Sequence, residues 1–189
     1  MTAASLLNKI VYQVSVHNDS MAYKELFLLY YNRLIQFATS LTHSRQSAEE
    51  VVSDVFLKIW TNRAGLIKIE NIHLYLYVTT KNHSINYLVR EKKQISFSLD
   101  DVSVELKSIY YDPEQLMITA EMFKRIRSAV QALPPRCRLI FKLVKEDGLK
   151  YKEVAELLHL SLKTVESQMT IALRRIGKSI QFNLESSLS

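Results

Sequence analysis

The sequence predicts an all-α protein made of two helical domains joined by a flexible linker. Its 189 residues include only three Gly and three Pro, too few for the many turns of a β-sandwich or barrel. Apolar residues recur at helical spacing from about residue 20 to 90 and again after Pro113. Between these stretches the pattern fails for about twenty residues, a length that is uncommon for a loop inside one domain. We therefore expect a domain at residues 1–92, a linker at 93–113 and a second domain at 114–189.

The first domain is predicted to contain three amphipathic helices. The apolar stripe of the first helix consists of Leu26, Leu29, Tyr30, Leu34 and Phe37. A second helix is expected over residues 47–60 with Ser47 as its N-cap, because two glutamates would then lie in the first turn, where the helix dipole favours anions. A third helix is expected over residues 72–90, and the polar segment before it is predicted to be a loop. The stripe of this third helix consists of Leu74, Val78, Ile85 and Leu88.

Charge is distributed unevenly along the chain, whose net charge is +6. Residues 93–117 carry two basic and five acidic side chains, whereas residues 118–189 carry 13 basic and seven acidic ones. A basic segment suggests a polyanionic partner, because Lys and Arg neutralise phosphates and release their counterions. The second domain is therefore a candidate nucleic-acid binder, and the linker is acidic.

The second domain is predicted to end in a helix-turn-helix. One helix is expected from about residue 114 to the pair Pro134–Pro135, and another from there to about Gly148. The stretch "YKEVAELLHLSLKTVESQM", residues 151–169, then indicates two helices separated by a short turn, with Ser161 as the N-cap of the second. Val154, Ala155 and Leu158 would share the packed face of the first of these two helices.

The second helix of this motif can be divided into two faces at 100° per residue. With Val165 at the buried centre, Met169, Ala172 and Ile176 fall on the same side. The outward side has groups able to reach base edges: Lys163, Glu166, Ser167, Thr170 and Arg174. Groups placed to anchor phosphates are Lys150, Lys152 and Arg175. A helical hairpin with a merely solvated polar face remains an alternative, which the basic charge of this domain disfavours.

Two sets of motifs resemble one known family. The segment "LPPRCRLIFKLVKEDGLKYKEVAELLHLSLKTVESQMTIALRRI" strongly resembles region 4 of bacterial sigma factors of the extracytoplasmic-function (ECF) group. Their region 2.2 is similar to "AEEVVSDVFLKIW", and their regions 2.3 and 2.4 to "YLYVTTKNHSINYLVREKK". The segment "LPPRCRLIF" resembles the versions of region 4 found in Bacteroides-type bacteria. The resemblance covers most of residues 20–180 and implies a promoter-specificity subunit of RNA polymerase with no catalytic residue, cofactor or metal of its own.

The resemblance also implies roles for particular residues of the first domain. The helix at 47–60 would dock on the coiled coil of the polymerase β′ subunit through Glu50, Ser53, Asp54 and Leu57. The minus-ten promoter element would meet Asn82, Asn86 and Tyr87, and the loop at about 63–70 would form part of the pocket that captures its unstacked base. Phosphates of that strand would be held by Arg90, Lys92 and Lys93. A solvated charged stripe is the alternative for the first set, and a solvated surface is the alternative for the asparagines.

The resemblance further implies partners and a location. They are the RNA polymerase core, through its β′ coiled coil and β flap, promoter DNA, and a membrane-bound anti-sigma factor. The protein is expected to be cytoplasmic, since no signal peptide or membrane span is evident, and monomeric when free of partners. Two departures from the family pattern affect the helix-turn-helix. His159 stands where the family usually has Gly in the turn, and Lys150 replaces a capping hydroxyl residue.

A transcriptional regulator and an enzyme are the two alternative classes of protein. A transcriptional regulator could use the same helix-turn-helix, but it would bind its operator without RNA polymerase. An enzyme is disfavoured because the five His are scattered and the sequence has no HExxH motif and no phosphate-binding Gly loop. Cys137 follows a helix start, which can lower the pKa of a thiol, although a lone apolar-flanked Cys is more often a packing residue.

Overall fold

The computed structural model describes residues 3–91 and 120–186, and every regular element in these ranges is helical. The chain divides into two compact units, Met1–Phe97 and Ser98–Ser189. The all-α class and the two helical domains are thus confirmed. The predicted linker at 93–113, the side chains of Lys92 and Lys93, and the predicted helix start near Glu114 lie outside the described residues.

The first unit contains four α-helices and one 3₁₀ segment. They are α1 (Ala3–His17), α2 (Ser20–Thr42), α3 (Arg45–Thr61), the 3₁₀ segment Arg63–Lys68 and α4 (Ile72–Arg90). Helix α2 packs against both α3 and α4, and α1 covers α2 and the 3₁₀ segment. The core of the unit is apolar and includes Leu26, Leu34, Val52 and Tyr77, all of them buried.

The sequence interpretation missed α1 and misplaced the start of α3. The buried residues Ile10, Val11 and Val14 have helical spacing, but they precede the region where a stripe was recognised. The N-cap of α3 is Ser44 rather than Ser47, because Ser44 has extended backbone angles and its Oγ accepts the Ser47 N–H at 3.2 Å. Ser47 is buried inside the first turn.

The buried faces of α2 and α4 also differ in part from the predicted stripes. Leu29 of α2 is 46% exposed, whereas the other four predicted positions are buried. In α4, Leu74, Val78 and Ile85 are only half-buried, and three hydroxyl residues, Thr79, Thr80 and Ser84, are buried instead. Thr80 Oγ1 donates to the Leu76 carbonyl at 2.8 Å and Ser84 Oγ donates to the Thr80 carbonyl at 2.9 Å. Because their own helix satisfies these hydroxyls, they can face the core.

The second unit is built around its last helix. Its elements are α5 (Ala120–Gln131), α6 (Pro135–Lys145), α7 (Tyr151–Leu158) and α8 (Leu162–Ser186), and α8 packs against the other three. Helix α6 ends at Lys145, three residues before the predicted stop. Gly148 has a φ of 80° in the turn that follows, a conformation in which glycine carries no Cβ penalty. None of the helices in the described ranges is long and apolar enough to cross a membrane.

Candidate functional site

The predicted helix-turn-helix is formed by α7, α8 and the three residues between them. Ser161 caps α8, because its Oγ accepts the Thr164 N–H at 3.0 Å. Lys150 precedes α7 without a side-chain acceptor, but its N–H donates to Glu153 Oε2 at 2.7 Å. Glu153 thus supplies half of a capping box, which offsets the loss of a hydroxyl residue at this position.

The two faces of α8 are those that the spacing predicts. Val165, Met169, Ala172 and Ile176 are buried, and so are the three predicted packing residues of α7. The outward residues are all exposed: Lys163, Glu166, Ser167, Thr170 and Arg174. Thr170 Oγ1 donates to the Glu166 carbonyl at 2.9 Å, so this hydroxyl faces solvent chiefly as an acceptor. The packing therefore leaves one polar face of α8 free of contacts with the other helices of its unit.

Three further cations of the helix-turn-helix are exposed. Lys150 and Lys152 lie at the start of α7, and Arg175 lies one residue beyond Arg174 on α8. All three side chains are exposed. A face of donors and acceptors flanked by exposed cations is the arrangement that reads base edges while anchoring phosphates.

His159 holds the turn in a left-handed conformation, with φ 53° and ψ 47°. The turn satisfies the end of α7, since the Leu160 N–H donates to the Ala155 carbonyl at 2.8 Å. His159 carries a Cβ, so the left-handed conformation imposes a steric penalty here that glycine would not have.

His159→Gly is therefore expected to raise the free energy of unfolding of the second unit by about 1 kcal/mol relative to His159→Ala. Both variants remove the imidazole, so the comparison isolates the Cβ penalty of the left-handed turn. Urea unfolding followed by circular dichroism measures it. Equal midpoints for the two variants would show that the turn is not strained.

The predicted polymerase-binding residues share one exposed face of α3. Glu50, Ser53, Asp54 and Leu57 are all exposed, and Leu57 is 64% exposed. Ser53 Oγ donates to the Glu49 carbonyl at 2.7 Å, which leaves its lone pairs toward solvent. The opposite face of α3 is buried against α2 and α4. The face therefore presents one exposed leucine beside two carboxylates.

The predicted minus-ten residues lie on the second half of α4. Asn82 and Asn86 are exposed and Tyr87 is half-buried. The Cζ atom of Arg90 lies 5.3 Å from the centre of the Tyr87 ring. Its Nη2 is also 3.0 Å from Glu50 Oε1 on α3. The structure therefore joins Arg90 and Glu50, which the sequence interpretation assigned to different partners, through an exposed ion pair worth at most about 1 kcal/mol.

His83 is a residue of this region that the sequence interpretation missed. It lies on α4, and its pKa is lowered by burial and by the charge of Lys58, against an opposing effect of Asp54. The electrostatic effects of Lys58 and Asp54 place the imidazole near the exposed face of α3.

The segment between α3 and α4 is not the plain loop that was predicted. It forms a 3₁₀ helix, Arg63–Lys68, in which Leu66 is buried. Arg63 Nε donates to Asn18 Oδ1 at 2.6 Å, and its Nη1 donates to the Trp60 carbonyl at 2.9 Å. Its Cζ also lies 4.5 Å from the centre of the Trp60 ring. The segment is thereby fixed to both α3 and the connection between α1 and α2.

Cys137 is a packing residue in this structure. It is buried, and its Sγ donates to the Gln168 carbonyl at 3.3 Å. Burial raises the pKa of the thiol, and the charge of Arg175 opposes this only in part. A nucleophilic cysteine needs the opposite shift. Within the described ranges, moreover, no three His, Cys, Asp or Glu side chains are grouped to hold a metal ion.

Two family models match the chain, one on each helical unit. The model for sigma-70 region 2 matches residues 26–94, which cover most of α2 and all of α3, the 3₁₀ segment and α4. The model for sigma-70 region 4 matches residues 123–176, which include the helix-turn-helix. The matched ranges therefore contain both exposed faces described above.

Similar proteins extend the match to most of the chain. The RNA polymerase sigma-H factor of Pseudomonas aeruginosa is 25% identical over 173 residues, covering 86% of this chain and 88% of that protein. The ECF RNA polymerase sigma-E factor of Escherichia coli is 24% identical over 184 residues, covering 93% and 95%. The fold resembles that of the sigma factor RpoE in complex with the anti-sigma factor NepR from Bartonella quintana, with a TM-score of 0.51, 22% identity, and coverage of 84% and 96%. The chain belongs to the ECF group of the sigma-70 family, whose members direct RNA polymerase core to promoters.

Proposed function

We propose that this sigma factor divides promoter recognition between its two units. The second unit reads the minus-thirty-five element, and the first unit binds both the polymerase core and the minus-ten element. The observation that carries the proposal is the exposed polar face of α8, whose opposite side is fully packed. A helix presented in this way by a helix-turn-helix fits the major groove.

The minus-thirty-five contacts are assigned by chemistry. Lys163 and Arg174 donate to guanine or to phosphate, and Glu166 accepts from cytosine N4. Ser167 and Thr170, which have shorter side chains, can bond to a base edge or to a phosphate. Phosphates on both sides of the groove are neutralised by Lys150, Lys152 and Arg175. The same unit would meet the β flap of the polymerase.

The contacts of the first unit follow from its two exposed faces. The α3 face, Glu50, Ser53, Asp54 and Leu57, docks on the β′ coiled coil. The α4 residues Asn82, Asn86 and Tyr87 meet an unstacked base of the minus-ten strand, because amide groups can read base edges and an aromatic ring can stack on a base. Arg90 holds the phosphates of that strand, together with Lys92 and Lys93, which lie outside the described residues.

An anti-sigma factor is proposed to control this protein. Support comes from the similar fold of a sigma factor that was solved in complex with an anti-sigma factor. Its anchoring in a membrane, and the Bacteroides-type subgroup of the chain, remain predictions. The proposal places the protein in the cytoplasm, where promoter DNA lies, as a monomer when free of partners and without a cofactor.

Run-off transcription tests the proposal. Purified core polymerase is assayed with and without this protein on a pool of promoter fragments from the host. Specific transcripts that require both components are expected, and they would reveal the promoter sequence. Sequence-specific DNA binding without polymerase, and no transcript with it, would instead indicate a helix-turn-helix regulator.

A further inference from the structure

The 3₁₀ segment Arg63–Lys68 is held from two directions by contacts that its sequence does not suggest. Leu66 is 1% exposed, because the segment packs against α1. On its other side Ala64, Gly65 and Ile67 are exposed. Leu66 thus seats the segment on the unit, and the side opposite Leu66 faces solvent.

Arg63 fixes the beginning of this segment. Its guanidinium donates to Asn18 Oδ1 at 2.6 Å and to the Trp60 carbonyl at 2.9 Å, and it stacks on the Trp60 ring at 4.5 Å. Hydrogen bonds from a charged donor are stronger than neutral ones, and stacking on tryptophan adds a cation–π attraction. Three contacts in different directions leave the guanidinium little freedom to move.

The acceptor in this arrangement lies far away in the sequence. Asn18 connects α1 to α2 and has a φ of 52°, a conformation that asparagine tolerates better than most residues. The Trp60 ring in turn packs on Tyr23 of α2, with ring centres 4.8 Å apart. The segment before α4 is therefore tied to α1, α2 and α3 together.

We propose that Arg63, fixed by Asn18 and Trp60, is a positioning residue that holds the segment at 62–70 in the shape that receives the unstacked minus-ten base. The inference rests on the proposed function of the first unit. A preformed receptor does not lose conformational entropy when the base enters, whereas a loose segment would have to be ordered at that step. Arg63 itself need not touch the DNA.

Asn18 offers a matched pair of variants. Asn18→Gly removes the acceptor of the Arg63 bond but accepts the positive φ, so the fold is retained. Asn18→Asp keeps an acceptor oxygen at the same place and adds a favourable charge. The unfolding midpoint of Asn18→Asp is expected to equal that of the wild type, and that of Asn18→Gly to fall by no more than about 8 °C, so both variants are folded at room temperature, where binding is measured. Arg63→Gln is a third variant, which removes the charge and the stacking while leaving Asn18 in place.

The binding experiment uses holoenzyme assembled from core polymerase and the full chain. Its probe is a labelled single-stranded oligonucleotide with the non-template minus-ten sequence of a promoter identified by run-off transcription. Asn18→Gly and Arg63→Gln are expected to weaken binding of this strand by roughly tenfold, the effect of losing one hydrogen bond to a charged group. Asn18→Asp is expected to restore wild-type binding. Affinity for core polymerase should be equal in all four proteins.

The single tryptophan provides a second readout in the free chain. Trp60 is the only tryptophan of the sequence, so its emission reports the Arg63 stack directly. Asn18→Gly and Arg63→Gln should shift this emission, and Asn18→Asp should not. Wild-type strand binding by the two variants with shifted emission would overturn the inference. If wild-type holoenzyme fails to distinguish the minus-ten strand from a scrambled strand, the proposed function itself fails.

Discussion

Replacing Lys142 with alanine is expected to destabilise the second unit by about 3–5 kcal/mol. Lys142 Nζ donates to both carboxylate oxygens of Asp147, at 2.8 and 2.7 Å. The two side chains are only 1% and 2% exposed. Removing the ammonium leaves a buried carboxylate without its counter-charge, and this desolvated charge is the main source of the loss.

The pair also fixes the turn that leads into the helix-turn-helix. The Asp147 N–H donates to the Lys142 carbonyl at 3.0 Å, and the Leu149 N–H donates to the Leu143 carbonyl at 2.9 Å. The ion pair thus clamps the end of α6 to the residues that precede α7. Loss of the pair is expected to disturb the position of α7 as well as the stability of the unit.

Urea unfolding of the full chain followed by circular dichroism measures the effect. Trp60 lies in the first unit, so its fluorescence provides an internal control that should remain unchanged. The double variant Lys142→Met with Asp147→Leu should lose far less than Lys142→Ala, because apolar groups of similar size can replace a buried pair at little cost. A loss below about 1 kcal/mol for Lys142→Ala would show that water reaches the carboxylate.

The helix faces and helix starts of this fold could be predicted where they depend on the spacing of apolar residues and on N-cap residues. The division of α8 into a buried and an exposed face follows from the helical period of 3.6 residues per turn. Ser161 predicts the start of that helix because it is a favourable N-cap residue. The buried Thr80 and Ser84 could not be recognised, since a hydrophobic pattern does not show that their hydroxyls bond to their own helix.

The contacts that link the candidate sites depend on tertiary packing. Spacing alone placed Glu50 on a face of α3, but its ion pair with Arg90 joins positions forty residues apart. The bond between Arg63 and Asn18 spans 45 positions and ends on the connection that follows α1, a helix that was not predicted. A sequence pattern assigns residues to faces of one helix and carries no information on which faces meet.

Lys163→Ala and Arg174→Ala are each expected to weaken promoter binding by holoenzyme without changing the affinity for core polymerase. A side chain that reads a base is worth about 1–3 kcal/mol, which corresponds to about fivefold to about 100-fold in affinity. Both side chains are exposed on α8, so their removal should leave the unfolding midpoint unchanged. Lys145→Ala is the matched control, because Lys145 is an exposed cation of the same unit on α6.

Asp54→Ala is expected to have the reverse effect. Its binding to core polymerase should be weaker, and promoter affinity should be unchanged when the sigma factor saturates the core polymerase. Asp54 is a cleaner choice than Glu50, because Glu50 Oε1 lies 3.0 Å from Arg90 and its loss would alter a predicted phosphate contact as well. Titration of labelled core polymerase and promoter binding at saturating sigma factor separate the two affinities. Equal losses in both assays for Asp54→Ala, Lys163→Ala and Arg174→Ala would contradict the division of labour. Such a result would mean that the exposed faces of α3 and α8 contribute to one common step rather than to two separate contacts.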